Sequence, residues 1–577
     1  MICSKLIIPV KRIAFVGLII SMFGCSKPKH QSFCNPVNLR YRFQLDHPSR
    51  REAADPSVVF YKGAYYMFLS KSGGYYTSEN LIDWKLITTE DLPIEEYAPT
   101  AVVMRDSIFF MAINQKVYKT ALPESGQWEV AQDSVGMRSL DPMLFHDTNG
   151  RVYLYHGLSP RLPIRGIELD AQTFKPIGDE VEILNTDNKL HGWERTGDYN
   201  FGLKKRPYLE GAFVTSHNDK YYMQYSVPGT QFKSYADGMY VSENPLGPYQ
   251  LAQHNPFSYK PEGFIAGAGH GSTFQDEYGN YWYAGTMTIS VKNSLERRVG
   301  IFPAFFDEDG VFYAYTGFGD YPHQMPAKKM KDYKDYQPKW MLLSYNKPVE
   351  VSSEVDGHAK ELAVNEDVRT YWSAASGNRE EWLLVDLEET YDVGALQVNF
   401  AEQGTSLVGR AEDIYYQYKV EYSNDKKIWE VLVDKSENTI DAPHDYIELG
   451  KTVKARYVRI TNLKVPDGKF AISGLRVFGK GTGAVPPAVE NFSVVRDSVD
   501  GCHVKLNWEK AEEAIGYNVR YGISPDKLYH NYQVYNVDSL DVYSLNSELD
   551  YYFTIDAFNE NGIFEGDKVI KIQKIKK

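Results

Sequence analysis

Residues 138–157 read RSLDPMLFHDTNGRVYLYHG: an Asp-Pro pair, a short apolar run, an Asn-Gly turn and a strand rich in aromatic residues. Residues 53–70, AADPSVVFYKGAYYMFLS, follow the same plan. Three more units align with them: APTAVVMRDSIFFM from Ala98, EGAFVTSHNDKYYM from Glu210 and HGSTFQDEYGNYWY from His270. Each begins with one leading residue and a Pro or Gly. An apolar strand, a polar turn and a second strand then follow. The first two intervals are 43 residues each, about one four-stranded propeller blade. Five such units predict a five-bladed β-propeller over residues 35–325.

The rest of the chain agrees with an all-β class. The 577 residues exceed what one core accommodates. Aromatic residues make up 14%, with 44 Tyr, and runs with a helical period are scarce after the N-terminus. A formal net charge of −13 without a basic tract in the mature region argues against nucleic acid as a partner. The four cysteines, Cys3, Cys25, Cys34 and Cys502, show neither a disulfide framework nor zinc spacing.

Residues 1–25 read as a targeting segment, with Lys5, Lys11 and Arg12 before an apolar stretch too short to span a bilayer. The segment ends at Gly24-Cys25 and resembles a bacterial lipoprotein signal, which implies lipidation at Cys25. The expected location is therefore the cell envelope, on the periplasmic or surface face of an outer membrane, with the N-terminal lipid as the membrane anchor.

Blades radiate from an axis, so their leading residues converge. Asp55, Ala98, Asp141, Glu210 and His270 are expected at one hub. Three carboxylates and an imidazole crowded there would raise one another's pKa and cost several kcal/mol each if unpaired. Glycoside hydrolysis gives such an arrangement a use. One carboxylic acid protonates the leaving oxygen, and one carboxylate activates water, roughly 6.5–9.5 Å away in inverting enzymes. A third carboxylate tunes the acid.

ADPSVV, the second Asp-Pro, EGAFV before a Tyr-Tyr strand, and AGHGSTF together resemble the motif series of glycoside hydrolase family 43 over residues 35–325. The resemblance implies Asp55 as general base, Glu210 as general acid and Asp141 as pKa modulator in an inverting enzyme. His270 matches the family's axial histidine, which binds substrate and in many members joins a water or calcium network. No cofactor is required. A hydrogen-bonded core histidine is the other reading of His270. RRVGIFPAFFDEDG resembles the late motif whose arginine touches substrate, giving Arg297, with Arg298 as the alternative.

The third interval is about 26 residues longer than the first two, which predicts a loop on the pocket rim. There Glu194 rivals Glu210 as the acid. Trp193 and His191 are candidates for holding a sugar, or for ordinary loop packing. Family members act mostly on α-L-arabinofuranosides or β-D-xylosides, so the expected activity is exo-hydrolysis of a terminal sugar from a polysaccharide by a monomer. The alternatives are a β-D-galactofuranosidase and a catalytically inactive propeller that binds glycan at the surface.

Residues 344–480, with TYWSAASGNREEWLLVDLEETYDVGALQVNF, ARYVRITN and ISGLRVFG, resemble the discoidin or factor V/VIII C-type jelly roll. Family 32 carbohydrate-binding modules share that fold, so glycan binding and bracing are both open. After a Gly/Pro linker, residues 488–577 resemble a fibronectin type III sandwich around Trp508.

Overall fold

The computed structural model describes residues 32–409 and 413–575. Cys25 and the targeting segment lie outside them. Among the described residues regular structure is β-strand apart from four 3₁₀ turns, and no helix is long and apolar enough to cross a membrane.

From Ala54 to Ala314 the strands form five successive four-stranded antiparallel meanders. Their first strands are Ala54–Tyr61, Thr100–Met104, Met143–His146, Glu210–His217 and Ala266–Gln275. These inner strands touch in cyclic order, the fifth returning to the first, so the sheets close around an axis. The fourth and fifth sheets are joined by a parallel bridge between Ala236 and Ala268.

Two repeated side-chain bonds tie the blades together. Ser57 accepts the N–H of Ala101 at 2.9 Å, Thr100 that of Leu144 at 3.1 Å and Ser272 that of Val58 at 3.1 Å. Hydroxyls at the ends of second strands do the same for leading residues: Ser70 for Ala98 (2.7 Å), Ser226 for His270 (2.8 Å) and Thr286 for Asp55 (2.8 Å). The inner strands are too far apart in direction to share a ladder, so hydroxyls satisfy the N–H groups that the ring buries. The N-terminal segment closes the ring from outside. Ser32–Phe33 pairs with His323–Gln324, and the Asn35 amide exchanges bonds with Ile301.

Between Met341 and Lys480 lies a second β unit. Its strands Trp382–Phe400 and His444–Lys464 pair along almost their whole length, with register shifts that bend them around the core of Trp372, Phe470, Leu396 and Val477. The third unit has two sheets, one of Ser493–Arg496, Val504–Asn507 and Ser539–Val542, the other centred on Gly516–Gly522 and Tyr551–Asn559. Trp508 is buried between them and meets Tyr517 edge-on at 5.3 Å.

These units pack against the propeller. Tyr313 stacks on Tyr529 at 3.7 Å and His254 on His530 at 4.1 Å. Arg51, four residues before Asp55, is fully buried and clamps Asp441 of the second unit at 2.6 and 3.0 Å, with Glu402 on its Nε.

The long third interval is not the simple rim loop that its length suggests. The first half of the loop that follows strand Pro176–Leu184 is an interface with the C-terminal sandwich: Gly192 N–H donates to Leu545, Ser547 N–H to Leu190, and Arg195 holds Asp500 bidentately at 2.6 and 2.9 Å. A Cβ on Gly192 would lie 2.0 Å from the Tyr543 carbonyl, so only glycine permits that approach. The second half meets the segment before Tyr235, the partner of Glu210: Lys233 N–H donates to Asp198 and Ser234 Oγ to the Gly197 carbonyl.

Candidate active site

Asp55, Ala98, Asp141 and His270 share an unusual backbone, with φ of 53°, 48°, 48° and 42°. This left-handed conformation costs a non-glycine residue about 1–3 kcal/mol, and cooperative packing of the ring sustains it. In the first, fourth and fifth blades it coincides with a bulge. Three residues of the inner strand span two of its partner, from Ala54 to Ser57, Glu210 to Phe213 and Gly269 to Ser272.

That register corrects the alignment of the repeats. Gly211, φ 61°, is the counterpart of Asp55 and His270, whereas Glu210 corresponds to Ala54 and Gly269, one residue earlier. A side chain at Gly211 would collide with His270 Cγ at 2.8 Å and Ser226 Oγ at 2.4 Å. The fourth blade thus leaves its axial position empty for the imidazole and brings its carboxylate from the preceding residue. The Glu-Gly pair mimics Asp-Pro in sequence while being displaced by one in space.

At the hub, His270 Nδ1 lies 3.3 Å from Asp55 and 3.9 Å from Asp141. Asp55 accepts a 2.6 Å bond from Ser70 and contacts Arg297 NH1 at 3.2 Å, while NH2 of the same arginine donates to Glu52 at 2.6 Å. Glu210 accepts a 2.6 Å bond from Tyr235. Asp237, wholly buried, receives Ser226, Tyr283 and the His270 N–H, and so fixes the backbone of the axial histidine. Asp55 and Asp141 are buried, whereas Glu210 and His270 keep partial exposure and form the solvent side of the hub.

The environment separates the carboxyls. Burial raises Asp55, yet Arg297 and His270, helped by Ser70 and Thr286, outweigh it and hold the group below its ordinary range. Burial lifts Asp141 to about 7 against the pull of His270, with the charges of Glu210 and Asp55 adding to the rise. Burial likewise raises Glu210 despite His270 and the Tyr235 bond. Burial pulls His270 down, but Asp55, Asp141 and Glu210 more than offset it and favour the imidazolium. The site thus biases Asp55 toward its ionised form and Asp141 and Glu210 toward their acid forms, the division of labour that acid–base catalysis uses.

Calcium takes six to eight oxygen ligands. The oxygens of Asp55 and Asp141 face the His270 Nδ1 at 3.3 and 3.9 Å. Among the described residues no three His, Cys, Asp or Glu side chains are arranged to hold a metal ion. The residues do not fit a directly ligated calcium at His270, and no step below runs through one.

Two other expectations need correction. Trp193 is fully buried; it stacks on His191 at 4.8 Å and donates to Tyr225 at 3.2 Å, so it has no face for a sugar. Glu194 is equally buried and accepts from Tyr225 (2.7 Å) and Asp187 N–H (2.6 Å), with His191 Nδ1 at 3.0 Å, which makes it a structural group.

The choice between the two arginines follows from strand alternation. Arg297 points to the hub. Arg298 points outward to His444 (2.8 Å) and the Arg51 carbonyl (3.0 Å). Arg297 is itself buried, with both terminal nitrogens committed to Asp55 and Glu52.

Sequence reading missed Glu52, Tyr235, Ser70 and Asp237. Glu52 alone left a signal, a carboxylate three residues before the Asp-Pro. Ser70 ends a strand, Tyr235 precedes one and Asp237 is its second residue, and none of the three carries a pattern of its own.

A closed ring of five sheets thus gathers three carboxyl groups around one imidazole. Residues 49–312 match the family model for glycosyl hydrolases family 43, and residues 348–474 match the F5/8 type C domain. The chain carries a family 43 glycosyl hydrolase domain followed by an F5/8 type C domain.

A curated xylosidase/arabinosidase of Bacteroides ovatus is 22% identical, the match covering 34% of this chain and 75% of the relative. A putative beta-xylosidase of Escherichia coli strain K12 is 30% identical over 27% of each chain. Among solved structures, one described as a glycoside hydrolase superposes with a TM-score of 0.44 at 18% identity, covering 76% of this chain and 99% of that one.

Proposed function

We propose that this protein is an inverting exo-glycosidase that removes a terminal α-L-arabinofuranosyl or β-D-xylosyl group from polysaccharide side chains, anchored in the cell envelope through Cys25. In this reading Asp55 is the general base. Held ionised by Arg297 and His270, it takes a proton from the water that attacks the anomeric carbon. Glu210, shifted toward its acid form by burial and partly open to solvent, gives its proton to the leaving oxygen. Asp141, 3.9 Å from His270 Nδ1 and itself raised by burial and by the charge of Glu210, is the pKa modulator. The names of the two curated relatives support arabinose and xylose as the sugars. In the same reading the C-terminal sandwich is a fibronectin type III-like brace, since it secures the long third-interval loop and has its own core around Trp508.

The observation that carries the proposal is the gathering of Asp55, Asp141 and Glu210 around His270, with Asp55 held by Arg297 and Glu210 by Tyr235 on the open side. The test is 4-nitrophenol release from aryl α-L-arabinofuranoside, β-D-xyloside and β-D-galactofuranoside, with the anomer of the first product read by NMR. Asp55→Asn and Glu210→Gln are each expected to lower kcat about 10²–10⁴-fold. Equal turnover by wild type and both variants would remove the mechanism. Absence of turnover on every substrate with retained glycan affinity would favour the binding propeller.

A further inference from the structure

Glu52 lies outside the three-carboxylate scheme, yet it is a fully buried carboxylate three residues before the proposed base. Its Oε1 accepts from Arg297 NH2 at 2.6 Å, and its Oε2 lies 3.7 Å from Arg50 without a hydrogen bond. Arg297 has no partner on Nε, so Glu52 and Asp55 are its side-chain anchors, one on each terminal nitrogen. A guanidinium is a rigid planar fork. Fixing one prong fixes where the other points.

We propose that Glu52 is a positioning residue for hydrolysis: it holds the plane of Arg297 so that one nitrogen meets Asp55, and it divides the guanidinium charge so that Asp55 remains basic enough to accept a proton. The inference rests on Asp55 being the base. The two contacts differ in the sense this requires, with the shorter on Glu52 and the longer, at 3.2 and 3.4 Å, on the two oxygens of Asp55. An arginine given wholly to Asp55 would stabilise its ionised form further and weaken it as a base.

Other charged groups bear on the pair. His270, Asp141 and Glu210 face Asp55 across the hub. Tyr97 lies beneath the guanidinium, 5.8 Å from its centre, and Arg50 flanks Glu52 from the chain preceding it. Among these Arg297 alone contacts both carboxylates. The segment cannot easily yield, since neighbouring Arg51 is locked to Asp441 and neighbouring Arg298 to His444.

The experiment compares wild type, Glu52→Gln, Glu52→Asp and Asp55→Asn on the aryl glycoside that the wild type turns over, reading kcat, KM and the acid limb of kcat/KM. For Glu52→Gln the expectation is a fall in kcat of roughly tenfold with KM unchanged and an acid limb at or below that of the wild type. Unchanged kcat overturns the proposal. So does an acid limb that moves up toward the ordinary carboxylate range, because that would mean Arg297 had left the base. If Glu52→Gln does not fold, Glu52→Asp, which keeps the charge but shortens the reach, is scored by the same two readings. An Asp55→Asn variant as active as wild type would instead sink the underlying assignment of the base, and so is distinguishable from failure of the Glu52 inference.

Discussion

Replacing Arg51 by methionine should separate stability from chemistry. Arg51 is completely buried, Asp441 is 2% exposed and Glu402 9%, so the substitution strands two carboxylates where water cannot reach them. At about 3 Å and an effective dielectric near 20, each opposite pair attracts by about 5 kcal/mol. Desolvation of the three ions takes back much of that in the intact protein. The variant keeps the desolvation of the carboxylates and loses the attraction, for which a cost of about 3–5 kcal/mol is expected. In a cooperative unit of 150–250 residues that corresponds to a Tm roughly 6–20 °C lower by calorimetry of the full chain.

The sign with pH is fixed. In the wild type, burial raises Glu402 but Arg51, Arg298 and Lys292 outweigh it and keep it low, so its contribution is present at neutral pH and lost on acidification. Burial already holds Asp441 above its ordinary value in spite of Arg51; without Arg51 it rises further and Glu402 joins it, and the folded variant then binds more protons than the unfolded chain. Its stability therefore recovers as pH falls from neutral into the carboxylate range. A deficit below about 1 kcal/mol at neutral pH, or one that does not shrink on acidification, would refute the reasoning.

Two further outcomes follow from the same geometry. The kcat/KM profile should be bell-shaped, with an acid limb below the ordinary carboxylate range set by Asp55 and an alkaline limb displaced upward by the raised Asp141 and Glu210. An acid limb that is lost in Asp55→Asn and an alkaline limb that moves in Glu210→Gln would check the assignments. Because Trp193 is core and not platform, Trp193→Ala should destabilise the protein by about 3–5 kcal/mol. At temperatures where that variant is folded it should leave KM within about twofold of wild type. A large rise in KM on a folded variant would show contact with substrate.

The sequence by itself determined which side chains begin the inner strands, because period-two alternation, turn residues and a recurrent Asp-Pro are written locally. It also carried enough pattern to mark the second unit, whose F5/8 type C match begins within a few residues of where the resemblance does. Local pattern does not count register around a bulge. Glu210 is therefore one position away from where the repeat puts it, and Gly211 takes the axial place so that His270 can occupy it.

Tertiary structure alone decided the partners of the charges. Trp193 and Glu194 looked available in a polar loop, yet Trp193 packs into the core between the third and fourth blades and Glu194 is held by Tyr225 and the Asp187 N–H. Arg297 and Arg298 are adjacent and chemically identical, and only the facing of their strand sends one to the base and the other to His444. Protonation belongs to the same level, since burial and neighbouring charge set it, and neither is encoded at the residue that titrates.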